Sequence, residues 1–490
     1  MVLARIHTKR TKIVATIGPS SWDEDKIRRL IQLGMDVARI NFSHGDHERH
    51  GQSIDLVRRI ADEEKRVVAI LADIQGPKIR VGAIKNPITL AKGDTLTLTL
   101  NEADGTNNVV KLPHPEFMRD LKPGLRLLLD DGNLEFVITD LVPNGLVCEV
   151  ILGGVLSSRK GVMAPNAHLT LSAITDKDRE DIEFALNKDA DYIAMSFVRS
   201  ADDIRELRWL MRHLGKDAGV IAKIEKHEAL ENIEEIINVC EGIMVARGDL
   251  GVETPAEEVP YHQKRIIKLC NKASKPVITA TQMLSSMVSS PRPTRAEASD
   301  VYNAIIDGTD AVMLSNESAS GEYPLESVET MATIAAIAEQ NIWQNRPAGW
   351  LKQNTTNVGG EAISDAISEA TYHISEVLNP RAIVTVTQSG YTARRVACER
   401  PRAPIVCVTP NPIAYRQMAL VWGVIPILIP NFNNTDEMLH VVSQYMVQEG
   451  YAQRGDTVVV IAGVPFGGVN QTNFLKIHSC LLYTSPSPRD

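Results

Sequence analysis

The stretch VIAKIE, residues 220–225, predicts a buried strand that ends in two opposite charges. Successive side chains of an extended chain alternate between two faces, so Ile221, Lys223 and Glu225 share one face of this strand. Two interpretations are open on this stretch alone. The charges either mark the exit of the strand into solvent or belong to a site built at its end.

Seven further apolar runs recur along the chain, and amphipathic stretches separate most of them. With the run just quoted they are TKIVATIG, MDVARINF, RVVAILADIQ, DYIAMSFV, GVIAKIE, GIMVARGD, KPVITATQM and DAVMLSNES. Strands that alternate with helices predict right-handed βαβ units, and eight such units favour closure into a TIM-type (β/α)8 barrel. Active groups of such barrels lie at the carboxyl ends of the strands, and every run here ends in polar or charged residues.

The regular spacing breaks once, after the third strand. Residues 78–165 show period-two alternation with Gly, Asn and Asp turns, as in LRLLLDDGNLEFVITDL. This pattern predicts an inserted, β-barrel-like domain, and its position suits a lid over the barrel mouth. The barrel itself is then expected in residues 1–77 and 166–345.

A third block follows in residues 346–478. It alternates short apolar strands such as AIVTVTQSG with helical stretches, but it has too few strands for a second barrel. We expect an open C-terminal α/β sheet. Residues 479–490 carry Ser-Pro pairs and no periodicity, so we interpret them as an atypical tail that is disordered or foreign to the native gene product.

Composition narrows the classes of function. The 490 residues carry a formal net charge of −9 without a Lys/Arg-rich block, so we expect no nucleic-acid partner. Six scattered cysteines without C-x-x-C spacing are typical of reduced thiols rather than of disulfides or a zinc site. The amino-terminal stretch lacks an apolar core of signal-peptide length, and the longest apolar run is too short to span a bilayer. We therefore expect a cytoplasmic protein without a membrane partner.

A carboxylate stands at the carboxyl end of each of two neighbouring strands of the predicted barrel. Glu225 ends one strand and Asp249 ends the next, in GIMVARGDLG. Two carboxylates at adjacent strand ends can share a hard divalent cation, and few protein ligands leave positions for substrate and water, as Mg²⁺ prefers. Lys223 then reaches a ligand oxygen from beside the metal. For this pair alone, a salt bridge at a strand end is the alternative.

Polar residues also end the other strands. The second strand places Arg39, Asn41 and Ser43 on one face, and His44 follows. For His44 and Ser196 taken singly, a structural role is the simpler interpretation. The remaining rim residues are Asp73, Lys78, Arg80, Ser196 and Thr281.

Three of these rim positions are cations within an acidic protein. Arg39, Arg80 and Lys223, together with a divalent cation, form a positive pocket. A phosphoryl group needs such a pocket as it moves between two oxygens. The rim as a whole therefore favours a site over a simple strand exit.

Eight longer motifs occur in a fixed order along the chain. They are TIGPSS, ARINFSHG, DIQGPKIR, SFVRS, AKIEKHEAL, MVARGDLGVE, ATQMLSSM and PRPTRAEASDVYNAIIDGTDAVMLSNESASGEYP. In this order and spacing the chain resembles the bacterial-type pyruvate kinase family, from about Thr11 to about His478. The resemblance implies transfer of the phosphoryl group of phosphoenolpyruvate to ADP, giving pyruvate and ATP in glycolysis.

The resemblance also implies catalytic roles. Lys223 would stabilise the phosphoryl group in flight and the developing enolate, and Arg39 would bind phosphate. Glu225 and Asp249 would hold Mg²⁺ or Mn²⁺. Ser196, at the end of the fourth strand, completes the predicted catalytic set together with Thr281.

Substrate and nucleotide contacts follow from the same resemblance. The backbone around Ala246, Gly248 and Asp249 would bind the substrate carboxylate, where glycine permits close approach. Thr281 would orient a proton-bearing water network, because a hydroxyl is too weak an acid to act alone. The implied nucleotide-binding residues are Pro19, Asn41, His44, Arg80 and Lys160.

One motif departs from the common family pattern. Many pyruvate kinases require potassium, held by groups that match Asn41, Ser43, Asp73 and the carbonyl of Ile74. Those enzymes usually have a glutamate where this chain has Lys78. An ammonium group has the charge of a potassium ion and could occupy or neutralise the same pocket, so we expect activity without added K⁺. A surface lysine without a cation role is the alternative.

A loop of the last block carries hydroxyls and a glycine between a strand and a helix. In TVTQSGYTARRVA these groups are expected to face one anion, and the loop resembles the effector-phosphate loop of allosteric pyruvate kinases. We expect activation by a phosphorylated metabolite such as a sugar monophosphate or AMP, with ordinary helix capping as the alternative. The family further implies a homotetramer. The loop residues are Thr387, Gln388, Ser389, Gly390 and Thr392.

Two other functions stay open on the sequence. A magnesium-dependent barrel lyase or aldolase acting on pyruvate enolate would also use carboxylates and an arginine, but it would need neither the inserted domain nor the nucleotide-side cations. ATP formation from ADP separates the two hypotheses. A catalytically inactive relative could serve as a metabolite-binding scaffold, although the intact Lys223, Glu225, Asp249 and Thr281 argue against it.

Overall fold

The computed structural model describes residues 9–165, 167, 169–345, 360–465 and 471–480. Within these ranges eight parallel strands close into a barrel, an inserted region forms its own sheets, and the last block forms a five-stranded sheet. The predicted fold class is therefore confirmed.

The first part of the barrel runs from residue 12 to residue 73. Asp23 and Asp46 cap the two helices, because each side chain accepts the backbone N–H three residues later. The elements are β1 (Lys12–Thr16), α1 (Glu24–Gln32), β2 (Val37–Asn41), α2 (His47–Glu63) and β3 (Ala69–Asp73).

The inserted region has its own core, in which Phe117 and Phe136 are buried. Its elements are β4 (Ile88–Leu90), β5 (Thr95–Thr99), a 3-10 turn (Thr106–Asn108), β6 (Val109–Lys111), α3 (Pro115–Asp120), β7 (Arg126–Leu129), β8 (Leu134–Val142), β9 (Gly145–Leu152), β10 (Gly154–Leu156) and β11 (Val162–Met163). The order β11-β7-β8-β9-β5-β6 forms one sheet, and β10 pairs with β4. A separate core lets this region pack as a unit.

The rest of the barrel continues the alternation of strand and helix. Its elements are α4 (Asp176–Asn187), β12 (Tyr192–Met195), α5 (Ala201–His213), β13 (Gly219–Ile224), α6 (His227–Glu231), α7 (Ile233–Val239), β14 (Gly242–Ala246), α8 (Arg247–Glu253), a 3-10 turn (Ala256–Glu258), α9 (Val259–Lys272), β15 (Val277–Ala280), a 3-10 turn (Ser285–Val288), α10 (Arg295–Ile306), β16 (Ala311–Leu314), α11 (Asn316–Ala319) and α12 (Pro324–Asn345). The eight barrel strands pair in chain order, and β16 closes on β1.

The last block is an open sheet in the order β19-β18-β17-β20-β21. Its elements are α13 (Gly360–Leu378), β17 (Ile383–Val386), α14 (Tyr391–Cys398), β18 (Ile405–Thr409), α15 (Pro412–Gln417), a 3-10 turn (Met418–Leu420), β19 (Val424–Leu428), α16 (Thr435–Gln448), β20 (Thr457–Ala462) and β21 (Phe474–Ser479). Of the helices in the described ranges, none has the length and apolar character that crossing a membrane needs.

The atypical tail was predicted to begin at residue 479, and this start is wrong. Ser479 is the last residue of β21, and Cys480 is fully buried. The N–H of Cys480 donates to the carbonyl of Asp456 at 2.9 Å, so the sheet holds both residues through backbone hydrogen bonds. Residues 481–490 lie outside the described ranges.

The last block fills the amino-terminal end of the barrel. Ala419 and Leu420 of the 3-10 turn are buried, and the hydroxyl of Tyr192 donates to the carbonyl of Gln417 at 2.9 Å. The barrel is thus closed at this end by a neighbouring domain. The inner-core residues around the turn include Val14, Leu71, Tyr192, Ile221 and Met244.

Four acidic residues stand directly before barrel strands at this same end. Each accepts the backbone N–H of a residue on the neighbouring strand, at 2.7–3.1 Å, and each also pairs with a lysine or an arginine. These carboxylates fasten neighbouring strands to each other. They are Asp36, Asp191, Glu241 and Asp310.

Candidate active site

The carboxyl-terminal rim of the barrel brings a lysine and two carboxylates together. Lys223 Nζ lies 2.9 Å from Glu225 Oε1, 3.1 Å from Asp73 Oδ1 and 2.6 Å from Ser196 Oγ. These residues end β3, β12 and β13, which are neighbours in the barrel, so the parallel register sets their last residues side by side. Glu225 and Asp73 are each 1% exposed. The rim thus holds an ammonium group in a desolvated acidic pocket.

Neighbouring charges decide the protonation of this cluster. Burial of Lys223 opposes its charge, but Asp73 and Glu225 outweigh burial and hold the pKa of the ammonium above its ordinary value. Burial likewise opposes ionisation of Asp73, yet Lys223 and Arg39 outweigh it and lower the pKa of that carboxyl. Arg39 Nε lies 2.7 Å from Asp73 Oδ2. Lys223 and Asp73 are therefore both charged at neutral pH.

Asp249 stands near Glu225, in the first turn of α8. Burial and the charge of Glu225 raise the pKa of Asp249 to about 6, against smaller opposing effects of Lys223 and Lys78. Two carboxylates that repel each other can bind a divalent cation, which relieves the repulsion. Two protein ligands leave most coordination positions of the cation to substrate and water. Among the described residues, no group of three or more metal-ligating side chains comes together.

The turn after β14 forms a hydrogen bond with Thr281. The N–H of Gly248 donates to Thr281 Oγ1 at 2.8 Å, and this hydroxyl donates to the carbonyl of Ala280 at 2.7 Å. Thr281 has a φ of +65°, which β-branched residues rarely adopt, so its surroundings hold it in a strained conformation. A Cβ at Gly248 would lie 3.4 Å from Thr281 Oγ1. Ala246 is buried at the end of β14.

Ser196 and Phe197 follow β12 and connect three parts of the rim. The hydroxyl of Ser196 donates to the carbonyl of Ile74 at 2.7 Å and accepts from Lys223. The N–H of Phe197 donates to Glu225 Oε2 at 2.7 Å. Ser196 therefore has the structural contacts considered above, and these contacts also fix Lys223.

The residues predicted to contact the nucleotide form two sets. In the loop after β2, Asn41 Oδ1 accepts the N–H of Ser43 at 3.2 Å, and the N–H of His44 donates to the carbonyl of Asn41 at 3.3 Å. His44 and Pro19 are exposed. The loop therefore turns back on Asn41 and presents His44 to solvent.

The second set belongs to the inserted domain. Lys160 pairs with Asp130 at 2.6 Å, and Arg80 donates to the carbonyl of Arg159 at 3.0 Å. Arg80 and Gly161 also form a bridge, which places Arg80 beside Lys160. Within the described ranges no hydrogen bond or ion pair joins this set to the loop after β2.

A cleft separates the inserted domain from the barrel. Its lining includes Lys78, Asp131 and Met163 on one side and Lys226 and Asp249 on the other. The inserted domain thus stands over the rim that carries Asp249.

The structure does not bring Lys78 to the predicted potassium group. Lys78 is exposed and faces the cleft with Asp249, and no ion pair joins it to Asp73 in the described part of the chain. Lys223 and Arg39 already compensate both oxygens of Asp73, and the carboxylate that Lys78 acts on electrostatically is Asp249. The predicted cation residues Asn41, Ser43 and Asp73 do lie together at the ends of β2 and β3.

The predicted effector loop is only partly open to an anion. Gln388 and Ser389 are exposed, whereas the hydroxyl of Thr392 is buried and lies 2.9 Å from the hydroxyl of Thr472. Thr387 Oγ1 accepts the N–H of Gly390 at 3.1 Å. The expectation that all these hydroxyls face one anion is therefore wrong for Thr392, which packing turns inward.

Asp178 supports the rim and was missed by the sequence reasoning. It is fully buried, and its Oδ1 accepts the N–H of Gly76 at 3.0 Å. Its Oδ2 accepts from the N–H and the hydroxyl of Thr175 in a capping box that begins α4. The spacing of Thr175 and Asp178 signals a helix start, but nothing in the sequence shows that the aspartate also reaches the loop after β3.

Cations gathered at the catalytic end of a barrel, beside a carboxylate pair, define a class of barrel enzyme that transfers phosphoryl groups. Two family models match this chain: the pyruvate kinase barrel domain over residues 8–328 and the pyruvate kinase alpha/beta domain over residues 365–478. The chain belongs to the pyruvate kinase family.

Curated relatives agree with the family models. The chain is 48% identical over 474 residues to a pyruvate kinase of Geobacillus stearothermophilus, covering 96% of this chain and 80% of the relative. It is 46% identical over 472 residues to a pyruvate kinase of Clostridium perfringens, covering 96% and 99%. The enzyme therefore transfers the phosphoryl group of phosphoenolpyruvate to ADP, giving pyruvate and ATP.

Proposed function

We propose that Lys223 and Arg39 hold the phosphoryl group during transfer. The observation that supports this role is the contact of Lys223 with Asp73, Glu225 and Ser196, which fixes the ammonium at the rim. Transfer is in line, with enolpyruvate as the leaving group, and the pre-oriented cations stabilise charge as it develops. Protonation of the enolate carbon follows.

Glu225 and Asp249 would hold Mg²⁺ or Mn²⁺. The raised pKa of Asp249 and its proximity to Glu225 support this assignment, because a cation removes the cost of two close negative charges. When bound, the cation neutralises charge on the phosphoryl oxygens. Glu225 is already oriented for this role by the N–H of Phe197.

The backbone at Ala246, Gly248 and Asp249 would receive the substrate carboxylate. Gly248 supports this assignment, since its missing side chain leaves the approach to Thr281 open. Thr281 would orient a water that carries the proton to the enolate carbon. In the described structure the Gly248 N–H is bonded to Thr281, so carboxylate binding would exchange this hydrogen bond.

ADP would bind between the two sets of nucleotide residues. Pro19, Asn41 and His44 belong to the barrel, whereas Arg80 and Lys160 belong to the inserted domain. A nucleotide held from both sides requires the inserted domain to close over the rim.

A coupled assay that converts pyruvate to lactate tests these roles. Wild-type enzyme with phosphoenolpyruvate, ADP and Mg²⁺ is expected to turn over, and Lys223→Met is expected to lose about 10²- to 10³-fold in kcat. Lys188→Met is the matched control, since Lys188 pairs with Asp55 on the outer helices. Retained activity in Lys223→Met would contradict the proposed role of Lys223.

Potassium independence is a further proposal. Lys223 and Arg39 compensate Asp73, and Lys78 adds a fixed positive charge at the cleft. We expect substantial activity in potassium-free, tetramethylammonium-balanced buffer, and a potassium requirement in Lys78→Glu. Near-total dependence of the wild-type enzyme on potassium would reject this proposal.

Regulation is also proposed from the last block. The exposed Gln388 and Ser389, with the loop amides, support binding of a phosphorylated metabolite such as a sugar monophosphate or AMP. Such a compound should lower the half-saturating concentration of phosphoenolpyruvate; if none does, the loop is only a helix cap. We further propose a homotetramer, from the family, and a cytoplasmic location, from the scattered cysteines.

A further inference from the structure

The segment that leaves the barrel for the inserted domain rests on the loop after β12. This loop, residues 196–199, is called the hinge seat below. Ser196 of the seat donates its hydroxyl to the carbonyl of Ile74 at 2.7 Å. A Cβ at Gly76 would lie 2.9 Å from the Phe197 ring, so the outgoing backbone packs directly on the seat.

The segment that returns from the inserted domain rests on the same seat. Arg199 donates from one terminal nitrogen to the carbonyl of Leu169 at 2.6 Å and from the other to the carbonyl of Leu171 at 2.9 Å. Asp203 holds the guanidinium at 3.1 Å, and Asn232 donates to the Arg199 carbonyl at 3.0 Å. Arg199 is thus fixed from behind, and its planar fork holds two carbonyls of the returning segment.

The hinge seat also touches the catalytic rim. Ser196 accepts from Lys223 at 2.6 Å, and the N–H of Phe197 donates to Glu225 at 2.7 Å. Phe197 has a φ of +55°, so the backbone of the seat is held in a conformation that non-glycine residues rarely adopt. One four-residue loop therefore contacts the outgoing segment, the returning segment, Lys223 and Glu225.

We propose that Arg199 is a positioning residue that fixes the returning segment. The inserted domain then closes at a defined position relative to Lys223 and Glu225. The proposal rests on the roles proposed above for these two residues. In the described part of the chain, no hydrogen bond or ion pair joins Arg199 to either of them. Because Arg80 and Lys160 lie on the inserted domain, loss of Arg199 should affect the nucleotide more than phosphoenolpyruvate.

The test compares Arg199→Ala, Arg199→Lys and a control on the helix that follows the loop, Arg205→Ala. Arg205 is 60% exposed and pairs only with Asp202 among the contacts of the described residues. In Arg199→Ala we expect KM for ADP to rise about fivefold to tenfold and kcat to fall about tenfold, with KM for phosphoenolpyruvate nearly unchanged. Arg199→Lys, which can reach one carbonyl but not both, should be intermediate, and Arg205→Ala should match wild type.

Hydrogen exchange supplies a second measurement on the full-length enzyme. Phosphoenolpyruvate, Mg²⁺ and ADP should slow exchange in residues 169–172 of the wild type, and Arg199→Ala should lose this protection. If the alanine variant does not fold, the inference is tested by the kinetics of the lysine variant and by hydrogen exchange of the wild type.

Three results would overturn the inference. They are unchanged kinetics in the Arg199 variants, an equal rise of KM for both substrates that follows a loss of Tm, or no protection of the returning segment in the wild type. Lys223→Met separates this inference from the proposed function. If Lys223→Met keeps its activity, the proposed function fails; if only the Arg199 variants behave as wild type, this inference alone fails.

Discussion

The two ends of the barrel use the same kinds of residue for different purposes. At the amino-terminal end, Asp310 accepts the N–H of Val277 and pairs with Arg400, so both of its oxygens are used within the protein. At the carboxyl-terminal end, Asp249 lines a cleft and lies near the buried carboxylate of Glu225. Whether an acidic residue is structural or functional is decided by its partners and not by its type.

The pKa values show the same contrast. Burial opposes ionisation of Asp36 at the amino-terminal end, yet Lys9 and Lys12 outweigh it and lower the pKa of that carboxyl. For Asp249, burial and Glu225 act together and raise the pKa to about 6. In this barrel the carboxylates that precede strands at the amino-terminal end are compensated, whereas at the carboxyl-terminal end Asp73 is compensated and Asp249 lies against the like charge of Glu225.

The largest expected effect is at the rim. Glu225→Gln keeps an oxygen for the N–H of Phe197 but removes the negative charge, so kcat should fall at least about 10²-fold, with a higher Mg²⁺ requirement and little change in Tm. Steady-state assays over a Mg²⁺ titration and a thermal melt measure both effects. A large loss of Tm with retained kcat would place Glu225 among the structural carboxylates.

The reverse result is expected at the other end. Asp310→Ala removes the acceptor of the Val277 N–H and breaks the buried ion pair with Arg400, which should destabilise the fold by about 3–5 kcal/mol. Thermal melts report the loss as a lower Tm, while kcat and both KM values of the folded enzyme should stay close to wild type. Lost activity at an unchanged Tm would contradict the division between the two ends.

The smallest effect is a pair of opposite pH dependences in enzyme stripped of divalent metal. Asp36 stabilises the fold above its ordinary pKa of 3.8, and this contribution is lost as pH falls through the lowered value. Asp249 behaves oppositely. Its contribution to the stability of the fold is fully present below pH 3.8 and is lost as the pH rises through its pKa of about 6.

Melting temperatures measured from pH 3 to pH 8 with a chelator test this pair. Asp249→Asn should abolish the decline in stability as the pH rises toward 6, and Mg²⁺ should do the same for the wild type. Asp36→Asn should reduce the sensitivity to acid. If the melting temperatures of the two variants change with pH in the same way, the proposed difference between Asp36 and Asp249 is wrong.

The barrel and its rim could be predicted from the sequence for a simple reason. Each strand is buried on both faces, as in GIMVA, so it stands out as an apolar run, and the residues that end it must meet at one rim. Lys223, Glu225, Asp73 and Ser196 therefore came together as expected. The four acidic residues before strands were equally visible in the sequence, but their partners on neighbouring strands were not.

What could not be predicted depends on packing between distant parts of the chain. Arg199 donates to carbonyls on a segment whose position is set by the inserted domain. Every residue has a backbone carbonyl, so the sequence does not show which of them accept from Arg199. Thr392 turns toward Thr472, eighty residues later. Lys78 faces the cleft and Lys223 pairs with Asp73, and only the folded arrangement shows which of the two lysines lies beside Asp73.

The turn at Ala419 and Leu420 has a consequence for truncation of this chain. A gene fragment that stopped at residue 345 would expose Tyr192 and Leu71 to water at the base of the cylinder. Deletions in the C-terminal part should therefore surface as aggregation of the catalytic part. The catalytic barrel of this chain is therefore expected to need the C-terminal part as a cover for its apolar base.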